Sequence, residues 1–300
     1  MRFSFWPGAG QPWPEILASS KHAAATGWDG VWFADHFMPF QGDVGEPIHE
    51  CWTVLAGLAA AVPLVRLGSI VTGNTYRNPA VLAKQVATVD HISGGRVVLG
   101  LGAAWQESEH VAYGIDYPSA GGRLDRLDEA CAVITSLLRN DRSSFEGRHY
   151  RLVDAPFAPK PVQDHLPLMI GGGGERRTLR IAARWADEWN IWGTPELCTQ
   201  KASVLEAHCA DLGRDPGEIV HSANSLLVLA TDETWLAGRR SRDYGRPVVM
   251  GTPAEAMEAV ARYQEAGVSE LILPDFTMPD PSRKRDMLDL FINEVAPQFR

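Results

Sequence analysis

No run of about 18 consecutive apolar residues occurs anywhere in the sequence, so no segment has the makings of a membrane-spanning helix. Cys-x-x-Cys is missing too. The four cysteines, Cys51, Cys131, Cys198 and Cys209, are scattered along the chain, which argues against a dithiol or a zinc site and predicts buried free thiols. Basic charge is in deficit, with 28 Lys and Arg against 37 Asp and Glu and a formal charge of −9. A net-acidic surface repels nucleic-acid phosphates and anionic membranes, so any anionic ligand needs a local pocket. The absence of a Gly-x-Ser-x-Gly elbow speaks against a nucleophilic hydrolase. Met1 to Pro7 shows no apolar run leading to a small-residue cleavage site, and a cytoplasmic location is expected.

What is present is a rhythm. The 300 residues, 45% hydrophobic and 22% charged, suit one soluble domain spanning 1–300. Short apolar runs predict strands at Phe3–Trp6, Gly30–Ala34, Val65–Thr72, Val97–Gly102, Leu168–Gly172, Glu188–Trp192, Val220–Leu229 and Glu270–Pro274. Amphipathic stretches separate them: Pro14–Thr26, Cys51–Ala61, Pro79–His91, Arg123–Leu138, Arg177–Trp185, Pro195–Leu212, Thr252–Ala266 and Ser282–Phe291. Asn78-Pro79, Thr194-Pro195 and Thr252-Pro253 read as a capping residue followed by proline at the first helical position. Strand and helix alternate to a C-terminal helix, which predicts an α/β fold, a (β/α)8 TIM barrel, over an open doubly wound sheet. The region near 140–165 breaks the rhythm between strands 4 and 5 and reads as an insertion packed against the barrel.

Active sites of such barrels lie where strands end and βα loops begin. Asp35 and His36 follow strand 2, where an imidazole can exchange a proton or donate to a carbonyl and the acid can orient it. The same pair also suits a helix cap beside a backbone-satisfied histidine. Strand 3 ends in Ser69-Ile70-Val71-Thr72-Gly73-Asn74 with Arg77-Asn78 beyond, polar atoms that need partners from a ligand or from loop and cap chemistry. Strand 4 ends in Gly100-Leu101-Gly102-Ala103-Ala104, where missing bulk leaves room for a planar ring or serves a tight turn.

Gly171-Gly172-Gly173-Gly174-Glu175-Arg176-Arg177 leads straight into a helix, presenting backbone N–H groups and guanidinium charge as a phosphate cradle. It matches neither the Walker pattern nor the dinucleotide fingerprint. Trp6, Trp105 and Trp192 fall at strand exits and are candidates to wall an apolar substrate pocket, whereas Trp28, Trp32, Trp52 and Trp185 have core contexts. A metal hydrolase is disfavoured and no metal is expected: no His-x-His follows strand 1, and of nine histidines His36 alone sits clearly at a predicted strand exit.

These segments together resemble the luciferase-like monooxygenase superfamily, in particular its branch of oxidoreductases using the deazaflavin coenzyme F420. The resemblance runs along nearly the whole chain. It is most specific in Ser69 to Thr72 with Arg77-Asn78-Pro79-Ala80, Asp90 to Arg96 leading to Leu99 to Trp105, Tyr113-Gly114-Ile115, Phe145 to Tyr150, and Gly171 to Arg177 with Ala186 to Asn190. It implies a non-prolyl cis peptide at Ser69-Ile70 in a bulge supporting the ring. It implies Asp35 and His36 as catalytic residues near ring and substrate. Cofactor contacts would come from Asp35, Ser69, Ile70, Val71, Thr72, Ala103, Ala104, Gly172, Gly173, Gly174, Glu175 and Arg176. Where sugar-phosphate-oxidising members carry a catalytic Glu after strand 4, this chain has Trp105.

The resemblance further implies a homodimer acting on a small molecule, and the acidic charge balance predicts no nucleic-acid or membrane partner. The leading expectation is hydride transfer between F420 and a small organic substrate. The alternative is an FMN-dependent two-component monooxygenase on the same fold. Arg148, Arg151 and Lys160 are available to an oligoglutamyl tail. From another class, a non-catalytic cofactor-binding protein would keep Gly172 to Gly174 yet turn nothing over.

Overall fold

A computed structural model describes residues 1–39, 42–278 and 280–300. Eight parallel strands form a closed barrel: β1 (Arg2–Trp6), β2 (Gly30–Phe33), β3 (Arg66–Ser69), β5 (Val97–Gly102), β8 (Leu168–Gly171), β9 (Glu188–Trp192), β10 (Val220–Asn224) and β13 (Glu270–Pro274). Pairing of β3 with β5 closes the ring, while β4 (Thr72–Gly73) continues the β3 edge toward the mouth. The expected (β/α)8 architecture is therefore observed.

The outer helices start where local chemistry sets them. Asn78 caps α3 (Pro79–Ser93), accepting from Ala80 N, and Thr194 caps α7 (Pro195–Leu212). Thr252 and Glu255 form a reciprocal capping box on α9 (Pro253–Glu265). Residues such as Leu55, Leu82, Val86, Leu127, Ile134 and Leu179 are fully or almost fully buried and pack in one core cluster with strand residues such as Val31 and Leu67.

The barrel floor is polar. Glu270, with no exposed surface, accepts from Ser4 Oγ at 2.6 Å, Trp32 Nε1 at 2.9 Å, Arg66 at 2.8 Å and Arg2 Nε at 3.1 Å. Glu188 lies beside it and also pairs with Arg66. Above, Trp6, Trp32, Ala34, Ile70, Val98, Met169 and Ile272 form an apolar layer inside the barrel.

Several expectations need correction. The predicted strand Val65–Thr72 is interrupted, because the chain bulges at Ile70-Val71 before pairing resumes at Thr72. The non-prolyl cis peptide is Ile70–Val71, one bond later than Ser69-Ile70. The predicted strand Val220–Leu229 is two strands: Asn224 stays locked to Asn190 inside the barrel, and the chain then leaves so that β11 (Leu226–Leu229) pairs with β12 (Val248–Gly251) outside it. The insertion near 140–165 stands where expected, between barrel strands 4 and 5, as an antiparallel hairpin of β6 (Arg142–Glu146) and β7 (Arg151–Pro156). Glu129 on α5 (Ala120–Arg139) holds its turn, accepting from the N–H groups of Arg148, His149 and Tyr150. A short helix, α4 (Glu107–Ala112), was not anticipated. Among the described residues no helix is long and apolar enough to cross a membrane, and all four cysteines are buried free thiols, as expected.

Candidate active site

The bulge after β3 is built by hydrogen bonds among buried hydroxyls. Ser69 Oγ donates to Gly100 O at 2.8 Å, Thr72 Oγ1 donates to Ser69 Oγ at 2.9 Å, and Trp52 Nε1 donates to Thr72 Oγ1 at 3.0 Å. Ser69 and Thr72 are fully buried, and their hydroxyls are engaged in holding the bulge. Ile70 turns into the apolar layer inside the barrel. Val71 is half-buried, and its methyl groups occupy space left by missing side chains: a Cβ on Gly102 or Gly171 would lie 2.8 Å from Val71 Cγ2.

Asp35 follows β2 and is 1% exposed. Both its oxygens are taken, by Arg77 NH1 at 2.6 Å and Arg77 NH2 at 2.9 Å, with Gly73 N donating at 3.3 Å. Burial pushes its carboxyl above the ordinary value, against the opposing pull of Arg77. Arg77 also pairs with Glu50, the cap of α2 (Cys51–Ala61). Burial opposes ionisation of Glu50, yet its bonds to Thr53 and the Arg77 charge bring it below the usual value. This ionic knot ties the loop after β2 to the bulge.

His36 points the other way, with its side chain 24% exposed. Its Nδ1 lies 3.0 Å from Glu109 Oε1, and its ring meets Trp105 edge-on at 5.5 Å between centroids. Glu109 was missed by sequence reasoning. It lies 73 residues from His36, on a helix too short to show periodicity, and no motif joins the two.

The glycine turn after β8 departs from strand geometry at Gly172, whose φ of 120° a side chain rarely adopts. A Cβ on Gly174 would stand 2.8 Å from Thr178 Oγ1. Gly172 N is paired with Asn190 O, while the N–H groups of Gly173, Gly174 and Glu175 have no protein partner among the described residues. Glu175 and Arg176 are exposed. The Glu175 carboxylate is bound by Lys201 at 2.7 Å, which lowers it below the usual range. Arg177 is committed to Asp125 and Gly121 O, whereas Arg176 is exposed and makes no ion pair or hydrogen bond among the described residues.

Trp6 and Trp192 lie 5.8 Å apart at the top of the barrel, with Phe276 edge-on to Trp6 at 5.1 Å and Arg246 over Trp192 at 4.8 Å. Trp105 stands on the His36 side, 55% exposed. At the mouth, Val71, Ala103 and Ala104 are half-buried, and the glycine turn carries the unpaired backbone donors and the exposed Arg176. A flat ring with a phosphate arm suits this arrangement. Arg148 and Arg151 on the hairpin are exposed, but Lys160, beyond it, donates to Leu137 O at 2.9 Å and is spent on the fold.

The family described as luciferase-like monooxygenase matches residues 1–244. A relative from Kineococcus radiotolerans, named F420-dependent glucose-6-phosphate dehydrogenase, is 37% identical, covering 100% of this chain and 97% of its own. One of the same name from Amycolatopsis mediterranei is 34% identical over 95% of this chain and 94% of its own. A solved structure of an F420-dependent secondary alcohol dehydrogenase with an F420-acetone adduct superposes with a TM-score of 0.86 at 22% identity, covering 100% of this chain and 99% of the other.

Proposed function

The chain belongs to the luciferase-like monooxygenase family, and on that premise we propose that it is an oxidoreductase transferring hydride between coenzyme F420 and a small organic substrate. The observation carrying this reading is the 37% identical, full-length relative named for F420, together with a glycine turn whose backbone donors suit that cofactor's phosphate. Bound F420 supplies a ring carbon that carries hydride and does not activate oxygen.

The protein's own residues do the rest. Val71 backs the ring, and Ser69 and Thr72 keep the bulge in place from behind. Gly173, Gly174 and Arg176 hold the phosphate through backbone donors and charge. His36 exchanges the proton that accompanies the hydride. Asp35 acts indirectly, by gripping Arg77 and the Gly73 N–H so that the mouth keeps its shape.

Trp6, Trp192 and Trp105 wall the substrate space, which favours a substrate with an apolar body. Trp105 in place of an acid sets this site apart from sugar-phosphate oxidation. We also read the protein as one domain and as a cytoplasmic homodimer. Titrating purified protein with F420 and with FMN, followed by fluorescence, tests the proposal. Preferential F420 binding is expected; tight FMN binding with oxygen-dependent turnover overturns it in favour of a flavin monooxygenase.

A further inference from the structure

We infer that Glu109 is the positioning residue for His36, holding the imidazole with its proton on Nδ1 and Nε2 presented to the barrel mouth as the proton-transfer atom. The inference rests on His36 as proton carrier in the reaction proposed above.

Glu109 has no exposed surface and occupies a helix of six residues pinned on both sides. Before it, Gln106 Nε2 donates to Pro39 O at 3.1 Å and Met38 O at 3.3 Å, lashing α4 to the loop that carries His36. After it, the buried His110 spans Gln106 O at 2.7 Å and Thr75 Oγ1 at 2.6 Å. The Glu109 carboxylate then receives three donors: Phe37 N at 2.9 Å on Oε2, and Tyr76 OH and His36 Nδ1 on Oε1.

A carboxylate is an acceptor, so the proton of a neutral His36 stands on Nδ1 and the lone pair on Nε2. Among the described residues the ring's hydrogen bond is made at Nδ1 and none is made at Nε2, which leaves Nε2 to a ligand. When the substrate carbon gives up hydride, two electrons leave with one hydrogen nucleus, and the second proton leaves the substrate heteroatom for Nε2. The imidazolium so formed lies 3.0 Å from the carboxylate. In the reducing direction the same proton returns. Asp35, next in sequence, does not serve His36 in this way because both its oxygens are held by Arg77.

Nitrogen-15 spectra of the imidazole rings in the cofactor-free full chain test the assignment. Wild-type protein should show His36 as a single tautomer, with Nδ1 protonated and Nε2 bare. In E109Q both nitrogens should move to averaged positions, whereas Y76F, which leaves the carboxylate in place, should keep the single tautomer. A wild-type spectrum with Nε2 protonated and Nδ1 bare overturns the inference, as does an E109Q spectrum that matches wild type. The wild-type measurement decides even where E109Q does not fold, and it involves neither F420 nor substrate, so it fails or succeeds separately from the functional proposal. With substrate in hand, E109Q should lose about 10- to 100-fold in kcat at near-constant KM; a raised KM with kcat intact marks a loop-packing role instead and overturns it.

Discussion

Both terminal nitrogens of Arg77 grip the enclosed Asp35 carboxylate, NH1 at 2.6 Å and NH2 at 2.9 Å. The Arg77 side chain is itself only 11% exposed. Removing one partner of such a pair strands a charge without water, whereas removing both does not. Arg77→Met should therefore cost about 3–5 kcal/mol of stability, and the double variant Asp35→Asn/Arg77→Met should recover part of the loss. Urea unfolding measures both. A loss under about 1 kcal/mol in the single variant would show that the pair does not hold the mouth.

Gly100 lies under the bulge, where a Cβ would come within 2.0 Å of Ser69 O and 3.0 Å of Val71 Cγ1. The first contact is backbone, which no rotamer change relieves. Gly100→Ala should cost about 1–3 kcal/mol through overpacking and, by displacing Val71, should weaken F420 binding. Thermal unfolding and a fluorescence titration check the two effects. Unchanged F420 affinity in a destabilised variant would separate the bulge from the cofactor.

The barrel was legible because its signals are local and repeated. The strand limits at Val97–Gly102, Glu188–Trp192 and Glu270–Pro274 coincide with the expected ones, since each is a buried run bounded by polar or turn residues. The positions of His36 and the glycine turn at strand exits were legible because the strands themselves were, and strand exits are where a barrel keeps its chemistry. What escaped depends on tertiary contact. Whether the hydroxyls of Ser69 and Thr72 meet a ligand or the loop depends on the fold, where they bond Gly100 O and each other. Glu109 has no sequence mark at all, because its meaning comes from packing α4 against the loop after β2.

The barrel floor carries a pH dependence of calculable sign. Burial is the main cause that raises the Glu188 carboxyl above its ordinary value of 4.5, with Arg66 pulling the other way and the neighbouring Glu270 adding to the rise. A folded value above the unfolded one means the native state binds the proton more tightly. The contribution of Glu188 is then fully present below the unfolded value and lost as pH rises through the folded one. Glu188→Gln, which does not titrate, should gain on wild type as pH rises from about 4 toward 7. Urea midpoints of both proteins across that range test this, and a constant or widening deficit for the variant would contradict it.

His36 and Trp192 should fail in different ways. An imidazole that moves a proton in the transition state contributes to the chemical step, so His36→Ala should lower kcat by about 10²- to 10⁴-fold while F420 affinity stays near wild type. Trp192 offers an aromatic face beside Trp6 and under Arg246, contacts that act alike on bound substrate and on the transition state. Trp192→Ala should therefore raise KM for an apolar substrate with kcat little changed. Steady-state kinetics on a panel of alcohols and carbonyl compounds with F420, with glucose 6-phosphate included, separates the two patterns. Turnover of the sugar phosphate in preference to apolar substrates would overturn the pocket assignment at Trp105 and Trp192 while leaving the role of His36 to be judged by its own variant.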